Sequence, residues 1–122
     1  MKKIRFNNGN ETEIGKIVCV GRNYAEHAKE LGNDIPEAPI LFLKPASAFI
    51  FSGDNIIFPS FGNELHHEAE LVLLIGSFLK DADIQEEESA VAGYAIGLDM
   101  TLRDVQDALK KKGHPWTVSK CF

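Results

Sequence analysis

The amino-acid sequence predicts a strand-rich α+β fold, and three observations carry that prediction. Short apolar runs at residues 16–21, 40–43 and 71–75 end in Gly21, Lys44-Pro45 and Gly76, as strands bounded by turn residues do. Residues 23–31 and 101–112 carry apolar side chains at helical spacing instead. Turn clusters at Asn7-Asn8-Gly9-Asn10 and Ser52-Gly53-Asp54-Asn55 keep the elements short.

In chain order, residues 3–6 and 11–14 flank the first turn cluster and read as a small hairpin. Residues 16–21 form a short buried strand. Asn23 is placed to cap a short helix that runs to about Leu31 and stops at Gly32. Residues 33–39 are a loop and 40–43 a strand. A further strand is expected at 56–58, before Pro59. Residues 71–75 are continuously apolar and read as a strand buried on both faces, entered through the polar cluster His66, His67, Glu68 and Glu70. Residues 80–88 read as an acidic, exposed connection. Residues 89–98 are mainly apolar and end at Asp99. Thr101 opens a second helix, with Asp104 completing an approximate capping box. Leu102, Val105, Ala108 and Leu109 form its buried stripe, Asp107 and Lys111 pair across one turn, and Gly113 ends it. Residues 115–122 are extended.

One domain of 122 residues, 44% apolar and 25% charged, suits an ordinary globular protein with a real core. The net charge of -5 and the lack of a basic stripe interleaved with aromatics argue against nucleic acid. The apolar runs are too short to span a bilayer. The basic start, residues 1–6, lacks the apolar stretch of a signal peptide, so the cytoplasm is the expected compartment. Cys19 and Cys121 show no metal-type spacing and no sign of pairing as a disulfide.

Strand side chains alternate faces, so Glu68 and Glu70 share one face. With Asp99 they make three acids at strand ends. If the strands are neighbours, the acids converge, raise one another's pKa values and supply oxygen ligands for a divalent cation. On spacing alone, three unrelated surface acids are the simpler reading. His27 and Glu30 lie three apart on a helix and can act as a base with its orienting carboxylate, or as an exposed surface pair. Arg103, Gln106 and Lys120 can donate to a developing oxyanion, or form a solvated helix face and a tail lysine. His66 and His67 read as polar strand-edge residues, and Trp116 as a core or rim aromatic.

Taken together, five ordered segments resemble the fumarylacetoacetate hydrolase family. They are residues 18–27 (VCVGRNYAEH), 41–45 (LFLKP), 66–71 (HHEAEL), 97–106 (GLDMTLRDVQ) and 111–120 (KKGHPWTVSK). The resemblance covers nearly all of the chain from Gly15 onward. It points to the short, single-domain members: acylpyruvate hydrolases, oxaloacetate decarboxylases or tautomerases, and isomerases of homoprotocatechuate breakdown. It implies a mixed β-sandwich roll, commonly dimeric, that binds Mg2+ or Mn2+ through Glu68, Glu70 and Asp99. It also implies His27 and Glu30 as the water-activating pair on a mobile helical lid. Lys120 joins them as a catalytic residue, and Arg22, Arg103 and Gln106 hold the substrate. The implied substrates are 2-oxo acids with a second carbonyl or carboxylate. Hydrolysis of a carbon–carbon bond in 2,4-dioxo acids is the first expectation, and oxaloacetate decarboxylation, tautomerisation or a dienedioate isomerisation the alternative. Family domains continue past the motif that ends this chain. Residues 1–122 are therefore expected to be the N-terminal portion of the catalytic domain, exposing apolar strand surface and self-associating. A catalytically incomplete metal-binding fragment is the further alternative.

Overall fold

The computed structural model describes residues 2–32, 34 and 36–122. Of the expected loop at 33–39, Asn33 and Ile35 lie outside the described residues. The fold is α+β and strand-rich, with three two-stranded antiparallel sheets among the described residues. Strands β1 (Lys3–Arg5) and β2 (Glu11–Glu13) form the expected hairpin. Phe6, just after β1, lies against Gly93, where a Cβ would come within 2.8 Å of the ring. The missing side chain thus lets the hairpin dock on the longest sheet.

Strand β3 (Lys16–Gly21) pairs along its whole length with β4 (Ile40–Pro45). Between them in sequence lies helix α1 (Ala25–Glu30). Its N-cap is Tyr24 rather than Asn23, and no side chain caps it. The chain turns first through Arg22 at φ +55°, so helical geometry begins one residue later than expected. Ala28 is buried, and the Leu71 amide donates to the Tyr24 hydroxyl at 3.1 Å, fastening α1 to the sheet beneath it. The turn at residues 52–54 forms as expected, with Asp54 accepting from the Phe51 amide at 2.8 Å. Residues 56–58 are not a strand: among the described residues none pairs with them, and Pro59 removes a ladder donor next to them.

The site is built on β5 (Leu65–Ile75) and β6 (Val91–Leu102), which pair antiparallel from Leu65↔Leu102 to Ile75↔Val91. The connection between them is not wholly irregular, since α2 (Ile84–Ala90) occupies part of it. Asp83 accepts from the Glu86 amide at 2.9 Å and Glu86 accepts from the Asp83 amide at 3.0 Å, a capping box. Helix α3 (Arg103–Lys112) starts directly from β6. Thr101 is therefore a paired strand residue opposite His66, and Leu102 takes the N-cap position. Asp104 instead accepts from the Asn63 amide at 2.9 Å and clasps the segment that leads into β5. Gly113, at φ +66°, ends α3 as expected. Lys110 rather than Lys111 is Asp107's partner, at 3.5 Å. Residues 117–120, expected to be extended, form the single helical turn α4 (Thr117–Lys120), in which the Ser119 hydroxyl donates to the Trp116 carbonyl at 2.7 Å. No helix among the described residues is long and apolar enough to cross a membrane.

The apolar stripes are where the sequence placed them, but their cover is not. Leu71, Val72, Leu73 and Ile75 are 39–57% exposed, so this chain alone does not bury β5 on both faces. On α3, the buried positions are Arg103 and Gln106, while Ala108 is exposed. The fully buried side chains are Leu102, Thr101 and Ser119. Gly62 permits this closure, because a Cβ there would sit 2.7 Å from a Leu102 methyl. Around that point Asp99, Lys120, Arg103 and Gln106 are buried too, so the most enclosed part of the chain is polar.

Candidate metal centre

The strand register explains why three acids meet. Glu68 is the direct cross-strand partner of Asp99, and Glu70 follows two residues later on the same face of β5, opposite Gly97. These residues lie within the ladder rather than at strand ends. One ligand oxygen from each carboxylate lies within 4.8 Å of the other two. Directly opposed like charges destabilise a sheet. The surrounding cations answer that cost.

Lys120, delivered by α4, reaches between the strands. Its ammonium donates to Asp99 Oδ2 at 2.5 Å, Thr101 Oγ1 at 2.6 Å and Glu68 Oε2 at 2.9 Å. Thr101 in turn donates to the Asp99 carbonyl at 3.1 Å. Arg103, at the start of α3, binds Glu68 Oε1 through Nη2 and Gln106 Oε1 through Nη1, the latter at 2.6 Å. Its Nε donates to His66 Nδ1 at 3.3 Å. Lys44 of β4 brings its Nζ 2.5 Å from Asp99 Oδ1. That approach lies off hydrogen-bond geometry, so the buried oxygen has a counter-charge but no donor. Three carboxylates are thus balanced by three cations.

The balance is uneven. Burial pushes Glu68 up, but Lys120 and Arg103 outweigh it and hold its carboxyl below the usual range. Glu70 has no ion pair among the described residues. Burial first, then the Asp99 and Glu68 charges, push its carboxyl up. A divalent cation fits these residues on the chemistry of the donor set: three converging carboxylates give the all-oxygen ligands that hard cations prefer. Glu68, Glu70 and Asp99 are the residues that would hold it.

A pocket opens over this cluster, lined by the three acids together with Arg22, His27, Arg103, Gln106 and Lys120. His27 Nδ1 lies 3.6 Å from Glu30 Oε2; both side chains are more than half exposed, and Glu30 stands outside the lining. His67 is exposed. His66 serves as acceptor for Arg103 rather than as a free edge residue. Sequence reasoning gave no role to Lys44 or Thr101. A lysine between Leu43 and Pro45 in an apolar strand is the signal that could have found the first. Nothing local marks the second. The cysteines are free, as expected.

Comparison with known proteins gives the family of the chain. The family profile described as fumarylacetoacetate (FAA) hydrolase C-terminal matches residues 16–122. Oxaloacetate tautomerase YcgM of Escherichia coli (strain K12) is 47% identical over 109 residues, covering 89% of this chain and 50% of the relative. The mitochondrial oxaloacetate decarboxylase of Dictyostelium discoideum is 51% identical over 108 residues, covering 88% and 50%. Fumarylpyruvate hydrolase from Pseudomonas aeruginosa, solved with Mn2+ and pyruvate, superposes with a TM-score of 0.89 at 38% identity, over 99% of this chain and 55% of that one. The chain spans about half the length of the curated relatives it matches. With the profile match covering nearly the whole chain and the resemblance of its five motifs met by the fold, this protein belongs to the fumarylacetoacetate hydrolase family.

Proposed function

We propose that this chain carries the catalytic constellation of a divalent-metal-dependent enzyme that converts 2-oxo acids through an enolate. The observation that carries this reading is the convergence of Glu68, Glu70 and Asp99 within 4.8 Å beneath a pocket ringed by Lys120, Arg103 and Gln106. When bound, Mg2+ or Mn2+ supplies Lewis acidity that stabilises negative charge on the 2-oxo oxygen. The three acids and the three cations that contact Glu68 and Asp99 are formally neutral together, so a divalent ion would leave the cluster positive, suited to an anionic 2-oxo acid.

Oxaloacetate tautomerisation or decarboxylation is the preferred activity, because curated relatives at 47% and 51% identity bear those names. In this reading Arg103 and Gln106, locked to each other, orient a substrate oxygen. The Lys120 ammonium, its three N–H groups held by Glu68, Asp99 and Thr101, places a fixed positive charge beside the oxygen on which negative charge grows. His27 lines the pocket; for tautomerisation it takes the enol hydroxyl proton and delivers a proton to the neighbouring carbon as the carbonyl re-forms, and for decarboxylation it protonates the enolate carbon left when CO2 departs, with Glu30 orienting the imidazole. Helix α1 acts as a lid that brings His27 over the bound acid. The second reading, hydrolysis of an acylpyruvate, uses the same pair to activate water. It is favoured by the exposed His27–Glu30 couple and by likeness to a fumarylpyruvate hydrolase.

The test is turnover of enol-oxaloacetate, oxaloacetate and acetylpyruvate by the purified chain, with Mg2+ and then with chelator. The expected result is Mg2+-dependent loss of the enol form, reduced at least about 100-fold in His27→Ala, the range of general acid–base contributions. Turnover untouched by chelator, or no Mg2+-dependent turnover of any of the three, overturns the reading.

A further inference from the structure

Helix α3 presents Arg103, Gln106 and Lys110 to the pocket, at spacings of three and four residues that keep them on one face. The first two are tied into the charged cluster. Lys110 stands about 10 Å farther along the helix axis than Arg103, at 1.5 Å per residue. Its only ion partner among the described residues is Asp107, at 3.5 Å on the largely exposed side. Its ammonium lies 5.6 Å from the centre of the Trp116 ring, which also lines the pocket. Trp116 is seated closely: a Cβ on Gly21 would meet its ring at 3.1 Å, and Phe42 packs edge-on against it at 5.6 Å.

Arg22 meets the same pocket from the end of β3. It holds φ +55°, a left-handed backbone that a side chain other than glycine adopts at a cost. Its Nε is buried and has no hydrogen-bond partner. A strained residue carrying an unsatisfied buried donor calls for an acceptor. Lys110 and Arg22 also sit near enough for their like charges to repel. Two cations thus line the same pocket, and among the described residues Asp107 is the ion partner of Lys110.

We propose that Lys110 and Arg22 form a second anion subsite that receives the distal carboxylate of a dicarboxylic 2-oxo acid, making Lys110 a specificity-determining residue. The inference rests on the 2-oxo acid reading above and narrows its substrate class. The 2-oxo carboxyl end lies over the three acids, and the carbon chain runs along α3 past Trp116. The distal carboxylate then accepts from Arg22 Nε and from the Lys110 ammonium.

The experiment is calorimetric titration of the chain, with Mg2+ present, by 2-oxoglutarate and by 2-oxopentanoate, which has the same chain length without the distal carboxylate. The expected result is at least about 10-fold tighter binding of 2-oxoglutarate, from one charge-assisted contact. Lys110→Met is expected to weaken 2-oxoglutarate binding several-fold more than 2-oxopentanoate binding, with Arg22 retaining part of the preference, and Lys110→Arg to keep it. Lys110 is partly exposed, so the folded state of each variant is checked by circular dichroism. Equal affinity for the two acids, or equal weakening of both by Lys110→Met, overturns the subsite while leaving the metal reading in place. Failure of both acids to bind with Mg2+ overturns both.

Discussion

The uneven charge balance makes Glu70 the decisive residue to change. Glu70→Gln removes one of three converging carboxylates but no ion pair. Two like charges within 4.8 Å repel by about 3–4 kcal/mol at an effective dielectric of about 20. Lys120, at 2.5 Å from Asp99 and 2.9 Å from Glu68, and Lys44, at 2.5 Å from Asp99, cancel most of this. A net gain of about 1 kcal/mol is therefore expected for Glu70→Gln in chelator, near the typical size of a single-substitution effect. The sign follows from linkage. Glu70's carboxyl is raised above 4.5, so its cost is absent below that pH and is imposed as pH rises through the folded value. The advantage of the glutamine therefore grows as pH rises above about 4.5. Metal reverses the order. At 100 times its dissociation constant, Mg2+ adds about 2.7 kcal/mol to the parent chain. At about 4 °C per kcal/mol for a domain of this size, that is a melting shift of roughly 10 °C. Glu70→Gln should lose most of it. Glu68→Gln should behave oppositely in chelator. It breaks the partly buried pairs to Lys120 and Arg103 and costs about 3 kcal/mol. Thermal unfolding of the three proteins in chelator and in Mg2+ tests the set. A Glu70→Gln protein less stable than the parent in chelator, or one with an undiminished Mg2+ shift, refutes the reasoning.

Two further outcomes follow from the same coordinates. Burial above all, and then the Asp99 charge, push the Cys19 thiol up to about 11. At pH 8 iodoacetamide should therefore label Cys19 at least about 100-fold more slowly in the folded chain than in denaturant, read by peptide mass, and comparable rates would refute it. The exposed apolar side chains of paired strands, among them Leu41, Leu43, Leu71, Leu73, Tyr94 and Ile96, leave strand surface that association would cover. Sedimentation at low micromolar concentration should show self-association, and a compact monomer at every concentration would refute that expectation.

Local pattern sufficed for much of the fold. The hairpin, β3, β4, the apolar halves of β5 and β6, and the stop of α3 at Gly113 follow from period, turn residues and glycine. The misses have separate physical causes. Asp83 and Glu86 carry a capping-box signal that the acidity of residues 80–88 obscured, so α2 read as loop. Thr101 and Asp104 look like a cap, but the strand pairing of Thr101 with His66 outweighs the local preference and moves Asp104 to Asn63. On α3 the apolar periodicity found Leu102 but missed the buried Arg103 and Gln106, which the ion pair to Glu68 and the bond between them hold inward, and Ala108 is exposed. Alternation put Glu68 and Glu70 on one face. Only strand register places Asp99 directly opposite Glu68, and that is a tertiary fact with no local signature.

The arrangement of burial links these points. In this chain the enclosed region is the ion network of Asp99, Thr101, Arg103, Gln106 and Lys120, while much of the apolar strand surface faces outward. An enclosed network of this kind gives little net stability, since desolvation consumes most of the Coulombic gain. What it does give is position. Lys120 is fixed by three acceptors and Arg103 by Glu68, Gln106 and His66, so neither must reorganise when charge develops on a bound acid. Glu70 is the one acid of the three with no ion pair among the described residues, and burial with the Asp99 and Glu68 charges raises its carboxyl. A divalent cation shared by the three carboxylates would supply the counter-charge that Glu70 lacks, so under the proposed function the metal would complete the charge balance on the one side that Lys44, Lys120 and Arg103 leave open.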